Sequence, residues 1–274
     1  MKTYLSVGIG DMVLLDALLT PEEKASMTEI YWACRFGEYL TPLLESNPDY
    51  PNLTLFHTIS DRIGKNVMAS LDPVAIPFWH FRPDFPRSFA TGLKLFHLEE
   101  EYKNGKVQTI NAIGLFYFTD RQYISSSFLK HAKQTPYGEH ILFHYPTSTR
   151  PRSDIATISE SDWHFVEDLS QETGLKVVVV ADDHIVIPLT NYELLVNPSL
   201  NFIVDLAASC SYYVGCDSFC AHLATKRLPK EKLFVKSHEP HIKEKLLTNY
   251  FGRCFMPHPP EDIAYFYKPY LGRA

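Results

Sequence analysis

The sequence predicts an α/β protein of two doubly wound units, each a parallel sheet whose strands are joined through helices. Three observations carry this. Strand and helix patterns alternate in βαβαβ order over the first 58 residues, the alternation restarts near residue 138, and "LKVVVVA" at 175–181 is the continuous apolar run of a strand buried on both faces. With 274 residues, 45% of them hydrophobic, the chain can build a core in each unit.

The elements follow in order. Lys2 to Val7 reads as a strand and Asp11 to Leu19 as a helix, with Leu14, Leu15, Leu18 and Leu19 on one face. Thr20-Pro21-Glu22-Glu23 has capping-box spacing with proline at the first helical position, and so starts a second helix. Glu29 to Cys34 is a strand, Phe36 to Glu45 a helix and Leu53 to Thr58 a strand. Right-handed crossovers restrict such an order to a Rossmann-like topology. The stretch from about 60 to 135 has no such rhythm. Within it, "PVAIPFWHFRPDFPRSF" at 73–89 sets prolines among aromatics, reading as irregular chain that either wraps the surface or forms an acceptor-side loop.

Past "KQTPYGEH" the pattern resumes. Ile141 to His144 is a strand, "YPTSTRPRSD" a polar loop, and Ser159-Glu160-Ser161-Asp162 caps a helix carrying Trp163, Val166 and Leu169 that Gly174 ends. After the Val-rich strand come a helix at Phe202 to Ser209, a strand at Tyr212 to Val214, a helix at Cys220 to Lys226 and a strand at Lys232 to Lys236. The organisation expected is a first domain over 1–137, a second over 138–250, and a terminal segment over 251–274 that packs back on the first.

Composition narrows the partners. A net charge of −6 disfavours long-range attraction to nucleic acid, although a local basic groove would still permit it. The first residues lack the basic and apolar regions of a signal peptide, and no stretch approaches the ~20 apolar residues of a membrane span, so the expectation is a cytoplasmic protein with no transmembrane segment. Five cysteines, Cys34, Cys210, Cys216, Cys220 and Cys254, form no C-x-x-C pair and are expected reduced. No metal is expected: Cys216 and Cys220 lack a second ligand pair, "HEPH" at 238–241 is not H-E-x-x-H, and the adjacent carboxylates of "ADDH" at 181–184 would point to opposite sides if they continue the strand.

Two stretches carry chemistry. "SVGIGD" at 6–11 places Gly8 and Gly10 at a strand-to-helix turn, where backbone amides approach a ligand closely and a helix start favours anions. A dinucleotide fingerprint fails, because Val13 stands where its third glycine belongs. Asp11 stands at the carboxyl edge of the first strand and serves either as helix N-cap or as a reactive carboxylate. "YYVGCDSFCAHLA" at 212–224 repeats the arrangement with Asp217 at the edge, Ser218 opening the helix, and His222 four residues on and so on the same face. Read alone, His222 is a hydrogen-bonded, half-buried histidine.

Together, Gly8-Ile9-Gly10-Asp11 and Gly215-Cys216-Asp217-Ser218-Phe219-Cys220-Ala221-His222-Leu223-Ala224 resemble the G-x-G-D loop and the G-x-D-S-G-x-x-H-L-A motif of the ADP-heptose:lipopolysaccharide heptosyltransferase group of GT-B glycosyltransferases, the GT9 type. The likeness runs fairly continuously over about 139–236, through "ILFHYPTSTRPRS", "ESDWHFVEDLSQETGLKVVVVAD" and "NPSLNFIVDLAASCSYYVG". Phe219 departs from it by replacing a glycine, and "RLPKEKLF" replaces a Gly-x-Pro.

The resemblance implies two Rossmann-like domains facing a cleft, and an enzyme that moves a sugar from a nucleotide-diphosphate donor to a glycan or other hydroxyl acceptor. Transfer would invert the anomeric centre, need no metal and use no cofactor. Asp11 would be the catalytic base, with Gly8 and Gly10 forming the acceptor-side phosphate loop. Ser148, Thr149, Arg150 and Arg152 would meet the donor phosphates. Asp217 would bind sugar hydroxyls, and Ser218, Phe219, Cys220 and His222 would complete the donor site. Three other readings remain at this point: a glycosyltransferase acting on modified nucleic-acid bases, a non-catalytic nucleotide or nucleotide-sugar binder, and a sugar-nucleotide epimerase.

Overall fold

The computed structural model describes residues 2–5, 9–32, 37–57, 96–109, 126–144, 158, 160–216 and 218–236, with the backbone alone for a few of them. The chain divides into two compact units between His131 and Ala132.

The first unit is built on β1 (Lys2–Leu5), β2 (Glu29–Trp32), β3 (Thr54–His57) and β4 (Val107–Thr109), all parallel, in the order β3-β2-β1-β4. Helix α1 (Ile9–Leu18) follows β1, and α2 (Pro21–Ser26) and α3 (Gly37–Glu45) precede β2 and β3. The predicted capping box starts α2: Thr20 accepts from the Glu23 amide at 3.2 Å, and Glu23 accepts from the Thr20 amide at 2.9 Å. Between residues 60 and 135, where the sequence pattern was irregular, lie α4 (Glu99–Lys103), β4 and α5 (Ser127–Lys130). The aromatic and proline-rich 73–89 stretch lies outside the described residues.

A carboxylate ties three of this unit's helices, α1, α2 and α5, together. Asp16, on α1, is fully buried, with Lys24 Nζ of α2 at 2.8 Å. The Tyr50 hydroxyl donates to it at 2.9 Å, as do Ser126 Oγ at 2.9 Å and the Ser127 amide at 2.8 Å. Each oxygen therefore has more than one donor, the condition under which a buried ion pair holds; removing one partner from such a pair costs about 3–5 kcal/mol. Burial beside this carboxylate raises the Tyr50 phenol well above its ordinary pKa.

Among the described residues the second unit has five parallel strands, β5 (Ile141–His144), β6 (Val177–Ala181), β7 (Tyr192–Val196), β8 (Tyr212–Cys216) and β9 (Leu233–Lys236), in the order β7-β6-β5-β8-β9. Helices α6 (Glu160–Thr173), α7 (Leu200–Ser209) and α8 (Phe219–Ala224) connect them. Gly174, at φ 70°, ends α6 as expected, its amide donating to the Ser170 carbonyl at 2.8 Å. Every residue of β6 is buried. Ile141, Phe143, Val177, Val179 and Val214 form one core face against Val166 and Leu169 of α6. Trp163 meets Phe143 edge-on, with centroids 4.9 Å apart.

Strand β6 stops at Ala181. Asp182 and Asp183 therefore do not continue it, and the opposite-sides expectation for that pair is replaced by a bend in which Asp183 Oδ1 accepts the His184 amide at 2.8 Å.

Candidate functional site

Among the described strands, each sheet reverses its order of growth once. From β1 the chain builds β2 and β3 on one side and then β4 on the other; from β5 it builds β6 and β7 on one side and then β8 and β9 on the other. At such a reversal the loops leaving two adjacent strands diverge to opposite faces, and a crevice opens at the strands' carboxyl ends. In the first unit the reversal lies between β1 and β4, and "SVGIGD" follows β1. In the second it lies between β5 and β8, which "YPTSTRPRS" and "DSFCAH" follow respectively.

Helix α1 begins at Ile9, so Asp11 is its third residue. The N-cap alternative for Asp11 is thereby corrected: it lies inside the first turn, where a carboxylate is favoured by the helix dipole. Gly10 is the second residue of α1 and half-buried. Gly8, Ser148, Thr149, Arg150, Arg152 and Asp217 lie outside the described residues, as do the 251–274 segment and Ser159.

The turn from β8 into α8 is set by Gly215 and Tyr213. Gly215 pairs with His144 across the sheet at φ 148°, and a Cβ there would stand 2.7 Å from the His144 carbonyl oxygen and 3.0 Å from the Tyr213 hydroxyl. The missing side chain lets two strands close up and leaves room for a phenol. Tyr213, fully buried, donates to the Cys216 carbonyl at 2.7 Å and lies 3.3 Å from Ser218 Oγ. Ser218 is the N-cap of α8 by position, yet its side chain makes no capping hydrogen bond. Its carbonyl accepts the His222 amide at 3.0 Å.

Phe219, Cys220 and His222 are all buried on α8. His222 is more deeply buried than the half-buried histidine expected, at 7% exposure. Burial raises the Cys220 thiol far above its ordinary pKa and pushes Cys210 up to about 12, so both are inert thiols. Among the described residues no cluster of three or more His, Cys, Asp or Glu side chains could hold a metal ion. No helix among them is long and apolar enough to cross a membrane.

One residue at this edge went unnoticed in the sequence. His144 ends β5 with its Nδ1 3.6 Å from Cys216 Sγ, across the reversal point itself. Loss of hydration pushes its pKa down to about 4, against a smaller opposing influence from Asp182 just past β6. The available signal was a polar residue closing the apolar run "ILF" at a carboxyl edge.

No protein-family model matches the chain, and no curated protein matches it. Among solved structures it is similar to a glycosyl transferase of family 9 from Veillonella parvula, at 12% identity over 99% of this chain and 97% of that one, with a TM-score of 0.49. It is also similar to the E. coli heptosyltransferase WaaC with ADP-2-deoxy-2-fluoro heptose, at 13% identity over 82% and 86% of the two chains, TM-score 0.45. The same enzyme with ADP gives 14% identity over 82% and 84%, TM-score 0.43.

Proposed function

We propose that the chain is a glycosyltransferase that moves a sugar from a nucleotide-diphosphate donor to an acceptor hydroxyl, with inversion and without a metal. The observation that supports this reading best is topological: the three stretches to which the resemblance assigns site residues follow strands that flank a sheet reversal, one in the first unit and two in the second. Chance placement of short polar motifs has no reason to select those loops over the others.

In this reading the second unit binds the donor. Arg150 and Arg152 meet the diphosphate, since guanidinium forks match phosphate oxygens, and Ser148 and Thr149 add hydroxyl donors. Asp217 accepts hydrogen bonds from the donor sugar, beside Ser218 and the start of α8. Asp11 takes the proton from the acceptor hydroxyl as that oxygen attacks the anomeric carbon. The bond to the diphosphate breaks as the new one forms, its electron pair leaving with the phosphate oxygen.

A thermal-shift screen with ADP-, GDP-, UDP- and CDP-sugars tests donor binding. Asp11→Asn should leave the shift intact while turnover falls by a factor on the order of 10² to 10⁴, the usual range for loss of a general base. A panel in which no sugar nucleotide stabilises the protein would refute the donor reading; a folded Asp11→Asn with near-normal turnover would remove the base.

A further inference from the structure

We propose that β7 is a docking edge for a second copy of this chain: two β7 strands pair antiparallel about a two-fold axis at Leu194 and join the second-unit sheets of the two copies. The seam uses none of the residues assigned to sugar transfer, and its existence is independent of that function.

The backbone defines which groups are free. The Asn191 carbonyl accepts the Val177 amide at 2.9 Å, and the Asn197 amide donates to the Ala181 carbonyl at 2.8 Å. Successive residues of a strand turn their N–H and C=O groups to alternate sides, so Glu193 and Leu195 also bond β6, while Tyr192, Leu194 and Val196 direct theirs away from it. Strand β7 ends its sheet's order, and among the described residues no strand lies beyond it.

Natural edges of this kind are blunted by lysine, proline or a bulge. The opposite edge, β9, follows Lys232 and ends in Lys236, but "YELLV" has neither lysine nor proline, and its register with β6 is unbroken over the whole strand. Its one charge, Glu193, is already paired with Lys176 at 3.6 Å. Every residue of β6 is buried, whereas none of β7 is. Tyr192 is 40% exposed, and Val186, on the connector leading into the strand, is 94% exposed, so apolar surface gathers at this edge.

Pairing with itself satisfies the edge. With the axis at Leu194, that residue faces its own counterpart and Tyr192 faces Val196 of the other copy; each pair exchanges both hydrogen bonds across the seam. An aromatic ring then lies against a β-branched side chain, a favourable cross-strand pair, and Glu193 falls opposite Leu195 rather than opposite a like charge. Asn197, at φ 48°, breaks the extended run directly after Val196, so the open edge matches in length the strand that covers it. A seam this short is well below the ~20–30 residues a side of a standard interface, and the dimer should be weak, with a dissociation constant on the order of 10–100 μM.

Sedimentation equilibrium of the full chain across ~5–500 μM should show a monomer–dimer transition. NMR-resolved amide exchange at the two ends of that range reads the register: the Tyr192, Leu194 and Val196 amides should exchange freely in the monomer and slow several-fold in the dimer, while those of Glu193 and Leu195 stay protected throughout. Tyr192→Lys and Val196→Glu should each weaken self-association about tenfold or more, and their equimolar mixture should associate more tightly than either alone, because in this register the two positions face each other. A chain that stays monomeric to about 1 mM would overturn the proposal. So would outward amides already protected in the monomer, or a dimer that leaves them unprotected, and both are read on the unsubstituted chain whether or not a variant folds.

Discussion

Strand β5 has a histidine at each end, and neither accepts a proton readily. His140, immediately before the strand, is buried; its Nδ1 pairs with the Gly138 carbonyl at 2.9 Å, and its Nε2 has no partner among the described residues. Burial lowers its pKa, with the Arg227 charge adding to the effect, and loss of hydration brings His144 to about 4. Below the ordinary histidine pKa near 6.5 the unfolded chain takes up protons that the folded chain refuses, so stability falls as pH falls. Each histidine contributes up to about 1.4 kcal/mol per pH unit within its own window, which for His144 runs from 6.5 down to about 4. Hydrogen exchange of the β5 and β6 amides should therefore show opening free energies that are flat above pH 7 and decline towards pH 5. In His144→Gln the decline should be shallower; identical pH dependence in the two proteins would show that His144 is not held neutral.

Elements were legible in the sequence where one local signal decided them. The Thr20–Glu23 box, the all-valine centre of β6 and Gly174 after α6 each carry their own physical cause within a few residues. Strand β7 does not: "YELLV" is exposed or half-buried throughout, with neither clean alternation nor a continuous buried run to announce it. Strand β4 is three residues long and exists because β1 offers a parallel edge, a non-local cause. The candidate site rests on sequence motifs, and only part of its geometry lies among the described residues. Gly215 read as the first residue of the turn after a strand ending at Val214, whereas it lies inside β8 and its role is set by His144, 71 positions away in sequence and opposite it in the sheet. Gly215→Ala should cost roughly 2–4 kcal/mol, because the Cβ strikes backbone atoms that cannot swing aside. Gly174→Ala is the control: φ is also positive, at 70°, but nothing lies within 4 Å, so only the backbone penalty of about 1–2 kcal/mol applies. Equal losses in urea unfolding would show that the backbone angle alone makes Gly215 necessary.

At the scale of the whole molecule, both units use the same plan, a parallel sheet that grows one way from its first strand and then the other. In open α/β sheets such a plan opens a crevice at the reversal, and it leaves undecided what would balance a ligand's charge there. In the proposed reaction a diphosphate leaving group gains negative charge as the sugar departs, and that charge would require either a bound cation or protein donors. The sequence that follows β5 carries two arginines, Arg150 and Arg152, and the hydroxyl residues Ser148 and Thr149. On the proposed reading these two guanidinium groups balance that charge and no ion from solution is needed. Sugar transfer should therefore persist in excess EDTA. Arg150→Ala should lower turnover more than it weakens binding of the donor, because the guanidinium opposes charge that is largest in the transition state. Added Mg²⁺ should not restore that variant. Transfer abolished by EDTA and recovered with Mg²⁺ or Mn²⁺ would mean that a metal balances the diphosphate, and Arg150 would lose the role assigned to it.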